Sequence, residues 1–313
     1  MNGRTWVACR SGAAVLMLLA ASNASRAQQP TAARPAAVVN GEPIAMAELE
    51  EALKQAPLAV EMPEQARINM RRHALAMLID DTLMQQFLKA NAPEVTKAEV
   101  DQRLAEMDAA LKQEKKTIES FCKENGQTVQ ELREGLHWML RWSAWAKTHI
   151  ADADVQRYYQ EYKDLFDGVS VRVSHVALRL PENAGNAERA KAKAQLTGLR
   201  AQILAKKMDF ATAAKTYSQC DSNKSGGDLG YIGRKTLDEP FSRVAFSLQP
   251  GQVSEVVQTD FGMHLILVTE RKPGQPSDFA MIKEQVREIY TEEVRLTILA
   301  QQRRVAKLEV NIP

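Results

Sequence analysis

Three cysteines in 313 residues leave little for a disulfide framework. Cys9 lies in a segment expected to be removed, and Cys122 and Cys220 fall in regions that read as separate domains, so no disulfide is expected. Long apolar runs are just as scarce. The run from Gly12 to Ala21 is too short for the ~20 residues that a membrane span needs, and no later segment approaches that length. Neither sign of charge is in excess: 41 basic residues stand against 39 acidic ones and interleave along helical segments. That pattern offers nothing to nucleic acid. His73, His137 and His149 sit on helical segments without ligand spacing, which argues against a metal there.

The first residues depart from this background. Arg4 and Arg10 precede the apolar run, and small residues ending in Ser25-Arg26-Ala27 follow it, the order of a secretory signal peptide. Cleavage is expected after Ala27, with Ala24 the alternative and an uncleaved anchor the rival reading. Residues 1–27 hold three of the 41 basic residues and none of the 39 acidic ones, so the remainder carries about −1. Cys9 precedes the apolar run, which excludes it as a lipid-attachment cysteine. Residues 28–36, polar and proline-containing, read as a linker.

Order is expected from Ala37. Val38-Val39 reads as a short strand, Asn40-Gly41 as a tight turn and Met46 to Lys54 as a helix. Pro63 opens a long helix with an apolar face through Leu75, Leu78, Ile79 and Leu83. Thr96 with Glu99 and Thr128 with Glu131 have capping-box spacing at two further helix starts. Trp138, Trp142 and Trp145 form one helical stripe, expected in the core, with a client-binding surface as the alternative. At Val169 the pattern changes. "VSVRVSHVALRL" alternates as a strand, and residues 169–271 read as a compact α+β domain. A last helix from Ser277 carries Ile282, Val286, Ile289, Val294 and Ile298, and "LEVNIP" follows as a possible strand partner for Val38-Val39. The fold class is therefore α+β: a helical lobe over residues 37–168, completed by residues 272–313, with a mixed domain inserted between them.

The stretch "SQCDSNKSGGDLGYIG" holds four of the chain's glycines, with Cys220 just upstream. It lacks the Gly-Lys-Ser/Thr end of a phosphate loop, and its glycines do not sit between a strand and a helix as dinucleotide binding requires. His175, Cys220, Asp228 and His264 come from separate segments and show no clustered ligand spacing. Neither a cofactor nor a metal is expected.

"VRVSHVAL", "DFATAAKTYS", "GGDLGYIG" and "LDEPFSRVAFSLQPGQVSEVVQTDFGMHLILV" together resemble the parvulin-type peptidyl-prolyl isomerases, segment by segment over residues 169–271. "VVNGEPI", "LIDDTLMQQFLKANAPEVTKAEVD" and "GQTVQELREGL" resemble the N-terminal domain of exported foldase-chaperones of the SurA and PrsA type. The resemblance implies an FKBP-like α+β domain that isomerises X-Pro bonds. It implies catalytic roles for His175, Cys220, His264 and Thr259, and substrate contacts from Leu237, Phe241, Asp238 and Phe261. Cys220 then either tunes the local field, the favoured role, or attacks the carbonyl. The loop "LPENAGNAER" departs from phosphate-directed parvulins, with only Arg179 before it and Arg189 at its end, so a phosphorylated substrate is not expected. The implied partners are unfolded exported polypeptides in the periplasm, with neither nucleic acid nor membrane after cleavage. The alternative function is a holdase whose parvulin domain is inactive.

Overall fold

The computed structural model describes residues 34–54, 63–181 and 184–312. The expected signal peptide and most of the linker lie outside the described residues. No helix among the described residues is long and apolar enough to cross a membrane. The chain divides into two compact units, one formed by the residues up to Ala151 together with those from Thr291 onward, the other by Asp152–Tyr290.

In the first unit, β1 (Ala37–Val39) is the centre of a three-stranded antiparallel sheet between β2 (Glu42–Ile44) and a later strand from Leu308–Val310. Asn40 and Gly41 both take positive φ, 51° and 84°, which gives the β1–β2 hairpin the twist it needs. Asn40 also ties the chain ends together: its N–H donates to the Lys307 carbonyl at 2.9 Å, and its Oδ1 accepts the Lys307 N–H at 2.9 Å.

The helices of this unit are α1 (Met46–Lys54), α2 (Glu64–Asn91), α3 (Lys97–Gln113), α4 (Ile118–Glu124) and α5 (Val129–His149). Thr96 and Thr128 close capping boxes with Glu99 and Glu131, which satisfies amide donors that a helix start leaves unpaired. Val100, Leu111, Ile118, Cys122, Leu132 and Leu136 pack into one apolar cluster. Cys122 is thus a core residue, and burial raises its thiol pKa. The end of α2 is held by the buried Arg141 of α5, whose guanidinium donates to the Leu88 and Ala92 carbonyls at 3.0 and 3.1 Å. The tryptophan stripe divides. Trp145 is buried, stacked on Trp142 at 5.1 Å and met edge-on by Phe87 at 5.6 Å, whereas Trp138 and Trp142 stay half-buried.

The second unit is wider than the 169–271 read from the alternation. It begins with α6 (Asp152–Glu161) and α7 (Lys163–Phe166) and includes the first part of α11 (Phe279–Val305). Aromatic contacts explain the extension. Tyr158 meets Tyr290 at 4.9 Å, and Tyr159 meets Phe279 at 5.2 Å while its hydroxyl donates to the Ser277 carbonyl at 2.7 Å. Tyr162 donates to Glu239 Oε1 at 3.2 Å, and Arg271 pairs with Asp164 at 2.9 Å. The rest of α11 and β7 (Leu308–Val310) belong to the first unit, where Arg303 bonds Asp80 at 2.5 Å and 2.6 Å.

Between these flanks lie β3 (Ser170–Arg179), α8 (Asn186–Leu204), α9 (Phe210–Tyr217), a short 3₁₀ turn at Asp221–Ser225, β4 (Asp228–Gly233), α10 (Glu239–Ser247), β5 (Val257–Thr259) and β6 (Gly262–Lys272). The sheet order is β4-β3-β6-β5, with every pairing antiparallel. Period-two alternation sorts its residues. Val171, Val173, Ile266 and Val268 pack with Phe241 and Phe246 of α10, whereas Val176, Leu178, Met263 and Leu265 pack with Leu196 and Leu199 of α8 and Phe210 of α9.

The glycine-rich stretch answers a packing demand. Gly227 has φ +85°, accepts the His175 N–H at 2.9 Å, and lies where an added Cβ would stand 2.3 Å from the His175 carbonyl oxygen. Gly230 has φ +71° but open space around it. Gly227→Ala should therefore cost several kcal/mol, because backbone collision adds to the ~1–2 kcal/mol of left-handed strain. Gly230→Ala should cost the strain alone. Denaturant unfolding of both variants checks this, and equal losses would refute the role of the close approach.

The first unit holds a second testable feature. Asp81 is half-buried on α2; desolvation, reinforced by Asp80 and opposed by Arg295, raises its pKa to about 6. Its ionised form therefore costs stability at pH 7, and that cost fades as pH falls through 6 toward the unfolded value. Asp81→Asn should stabilise the chain by ~1–2 kcal/mol at pH 7 and by little near pH 4, read from denaturant midpoints.

Candidate functional site

The cavity in the second unit is the apolar core continued with different residues. On β3, the face that carries Val171 and Val173 next presents His175, Ala177 and Arg179. On β6, the face of Val268 and Ile266 next presents His264, and on β5 Val257 is followed on the same face by Thr259. A one-residue slip of either strand would turn these side chains to the opposite face. The resulting cavity, about 580 Å³, is lined by His175, Ala177, Arg179, Thr259 and His264 together with Cys220, Leu229, Thr236, Leu237, Asp238, Phe241 and Phe261.

All eight residues singled out from the sequence line this cavity. His175 and His264 are each 7% exposed, with rings nearly parallel and centroids 5.6 Å apart. Phe241 lies edge-on to both, at 5.9 and 5.7 Å. Thr259 Oγ1 is 2.8 Å from His264 Nε2 and accepts the Phe261 N–H at 3.1 Å. Cys220 is half-buried on the wall, while Leu237 and Phe261 stand at the rim, 36% and 69% exposed. Asp228 lies outside the cavity lining: Arg172 pairs with its carboxylate at 2.8 Å, and the Gly230 N–H donates to it at 2.9 Å.

Residues missed in the sequence complete the wall. Leu229 lies within the glycine stretch, where its neighbours drew the attention, and Thr236 precedes Leu237 without any distinguishing pattern. Arg179 follows from the alternation that gave His175, two positions at a time. Ser222, outside the lining, has its hydroxyl 3.0 Å from His175 Nε2. No spacing rule would have found it, because the turn that brings it back is set by positive φ at Gly226 and Gly227.

The two histidines at the centre of the site are largely shielded from solvent. Burial lowers the pKa of His175 to about 4, with His264 adding to the shift, and burial alone lowers His264 to about 4. Both imidazoles are thus neutral near pH 7. Their Nδ1 atoms are buried without a protein partner, while each Nε2 meets a hydroxyl. Such a wall can turn apolar surface and a few oriented polar atoms toward a small ring and the amide attached to it.

Residues 175–270 match the family model of the PPIC-type PPIase domain. The peptidyl-prolyl cis-trans isomerase Pin1 of Malus domestica is 38% identical over 112 residues, which cover 32% of this chain and 93% of Pin1. The chain belongs to the PPIC-type peptidyl-prolyl isomerase family. Outside the isomerase domain, residues 5–145 match a SurA-like N-terminal domain. The chaperone SurA of Hahella chejuensis is 26% identical over 272 residues, covering 82% of this chain and 62% of SurA. The foldase protein PrsA of Clostridium botulinum is 26% identical over 309 residues, covering 90% of this chain and 88% of PrsA. The chain thus spans less than two thirds of that SurA, and the cavity falls within the part that matches the isomerase domain.

The histidine pair makes the isomerase domain sensitive to acid. A histidine with a lowered folded pKa binds protons more weakly folded than unfolded, so stability is lost as pH falls from 6.5 toward 4. Between pH 7 and pH 5 each histidine should account for ~2 kcal/mol of lost stability. Urea unfolding at the two pH values, compared with a His264→Gln variant, checks this. A variant with an unchanged pH dependence would show that His264 is not buried as described.

Proposed function

We propose that the chain is an exported peptidyl-prolyl cis-trans isomerase that assists the folding of other exported polypeptides. The observation that carries this reading is the cavity itself: an apolar wall of Leu229, Leu237 and Phe241 opposite two neutral, desolvated imidazoles. An X-Pro amide resists rotation with a barrier of ~18–20 kcal/mol because resonance keeps it planar. A catalyst for rotation need only favour the twisted amide over the planar one. The apolar wall takes the pyrrolidine ring and fixes it, while the carbonyl side of the amide rotates past His175, His264 and Cys220. As resonance is lost, negative charge leaves the oxygen and the nitrogen becomes a better acceptor; oriented polar groups in a dry site respond to that redistribution strongly. Thr259 positions the His264 ring through its hydroxyl. Cys220 acts by its local field and forms no covalent bond.

Export is supported by the order of Arg4, Arg10, the apolar run and Ala27. A periplasmic destination, clients with X-Pro bonds and no lasting membrane association complete the proposal. The similarity of the remaining chain to SurA-like domains supports a chaperone role for the first unit. An inactive isomerase domain is the weaker alternative, because each cavity residue is of a type the chemistry can use.

A protease-coupled cis/trans assay on an X-Pro tetrapeptide tests the activity, and absence of turnover by folded protein would overturn it. Leu237 suits a substitution better than Phe241. Phe241 is 3% exposed and packed in the α10 core, so truncating it would cost ~3–5 kcal/mol of stability as well as activity. Leu237→Ala, at the rim, should lower kcat/KM by about tenfold with little change in melting temperature, part of the ~1.5–3 kcal/mol that full burial of such a side chain is worth.

The same assay separates two roles for Cys220. Cys220→Asp should retain most activity and Cys220→Ser should lose more, because a carboxylate supplies negative potential beside the rotating amide and a neutral hydroxyl does not. Equal, large losses in both variants would indicate attack by the thiol instead.

A further inference from the structure

Thr236, Leu237 and Asp238 line the cavity from the short segment that joins β4 to α10. Leu237 is 36% exposed, so no core holds its side chain and its place at the rim is set by the segment's backbone. That backbone is gripped from α6. Tyr158 lies in α6 and Tyr162 directly after it, one helical turn apart, both buried, with ring centroids 4.6 Å from each other. Lys235 Nζ donates to the Tyr158 hydroxyl and lies 5.0 and 4.7 Å from the centroids of the Tyr158 and Tyr162 rings. The Arg234 guanidinium lies 5.2 Å from the Tyr162 centroid, and its side chain is buried. Beyond Leu237, Glu239 Oε1 accepts from the Tyr162 hydroxyl at 3.2 Å and from Arg234 Nη2 at 3.5 Å. The tyrosine pair therefore holds the segment on both sides of Leu237.

The backbone at Lys235 points the same way. Its φ is 66°, in the left-handed region that L side chains avoid. Such a conformation persists where surrounding contacts over-determine it, and ligand clamps are a common place for it. Here the two tyrosines supply those contacts.

We propose that Tyr158 and Tyr162 are positioning residues for the isomerase: through Lys235, Arg234 and Glu239 they fix where Leu237 stands at the mouth of the cavity. The proposal rests on reading that cavity as the proline site. Neither tyrosine falls within a family match, since the SurA-like match ends at residue 145 and the isomerase match begins at residue 175. The site thus depends on a helix that precedes the isomerase match. A rim held in place beforehand spares the ordering cost at the moment of binding. Its loss should raise KM and leave kcat in place, because Leu237 contacts the pyrrolidine ring equally before and during rotation.

The test measures kcat and KM of the full chain on an X-Pro tetrapeptide. Lys235→Asn keeps a residue that accepts the left-handed backbone but is too short to reach the rings. It should raise KM about threefold, the scale of one exposed cation–aromatic contact, with kcat within about twofold. Tyr162→Phe keeps the ring and loses the bond to Glu239, and should raise KM about fivefold. Lys235→Arg, which keeps a cation over the rings, should retain the original KM. Tyr159→Phe is the control: it lies on the same helix, but its hydroxyl donates to the Ser277 carbonyl, so KM should stay unchanged even where the melting temperature falls. In a Leu237→Ala background neither Lys235→Asn nor Tyr162→Phe should raise KM further. If both leave KM unchanged in the original chain, if they act as strongly without Leu237, or if Tyr159→Phe raises KM as much, the positioning role is refuted and the proline site stands. If Leu237→Ala itself leaves kcat/KM unchanged, the proline site fails and the positioning role fails with it.

Discussion

The register of β3 on β6 is the constraint on which the site depends. Ala177 stands opposite His264, His175 opposite Ile266 and Arg179 opposite Gly262. This pairing puts two histidines from distant parts of the chain on one face of one sheet, next to each other and beyond the end of the α10 core. Gly227 reinforces it from the other side of β3, where its carbonyl accepts the His175 N–H. The glycine at 227 is therefore part of the same constraint. With any side chain there, β4 could not approach β3 closely enough to bring the Cys220–Ser222 segment against the cavity.

Much of this was legible in the residues. The alternation of "VSVRVSHVALRL" gives a strand, and its odd-numbered positions share the face on which His175 sits, although both faces are buried. Thr96 and Thr128 announce their helices, and Asn40-Gly41 announces its hairpin. What the sequence concealed was mostly contact between segments. Nothing local says that Ser222 meets His175, that Leu229 rather than another leucine faces the cavity, or that Arg141 closes the end of α2. The compact unit extends beyond the compositional change near Val169 for a physical reason. Composition changes there from helix to strand, but Tyr158, Tyr159 and Tyr162 bury their rings against residues that lie 70 or more positions further on, so a compositional border is no packing border. The tryptophan stripe is the converse case: equal spacing along α5 does not make its members equally buried.

Electrostatics separates the two units. The second unit buries imidazoles that resist protonation, and the first half-buries a carboxyl that resists ionisation. Desolvation is the leading cause in each case, but its consequence reverses with the sign of the charge. Acid weakens the unit with the histidines and relieves the unit with Asp81. A single melting temperature for the whole chain would average two responses of opposite direction, which is why each unit needs its own probe.

The same desolvation connects stability with chemistry. The cavity lies where the aliphatic face gives way to His175, His264 and Thr259, and the Nδ1 atoms of both histidines lack a protein partner. Groups left in that state are costly to the fold. They are also what a rotating amide requires, since neutral, oriented, water-poor surroundings need not reorganise as charge moves. The rest of the domain offsets that cost away from the cavity, through the tyrosines of α6, the cores on both faces of the sheet and the ion pair of Arg271 with Asp164. Stabilising the cavity by filling it would remove the property that makes it useful, so improvement in stability has to come from those outer contacts.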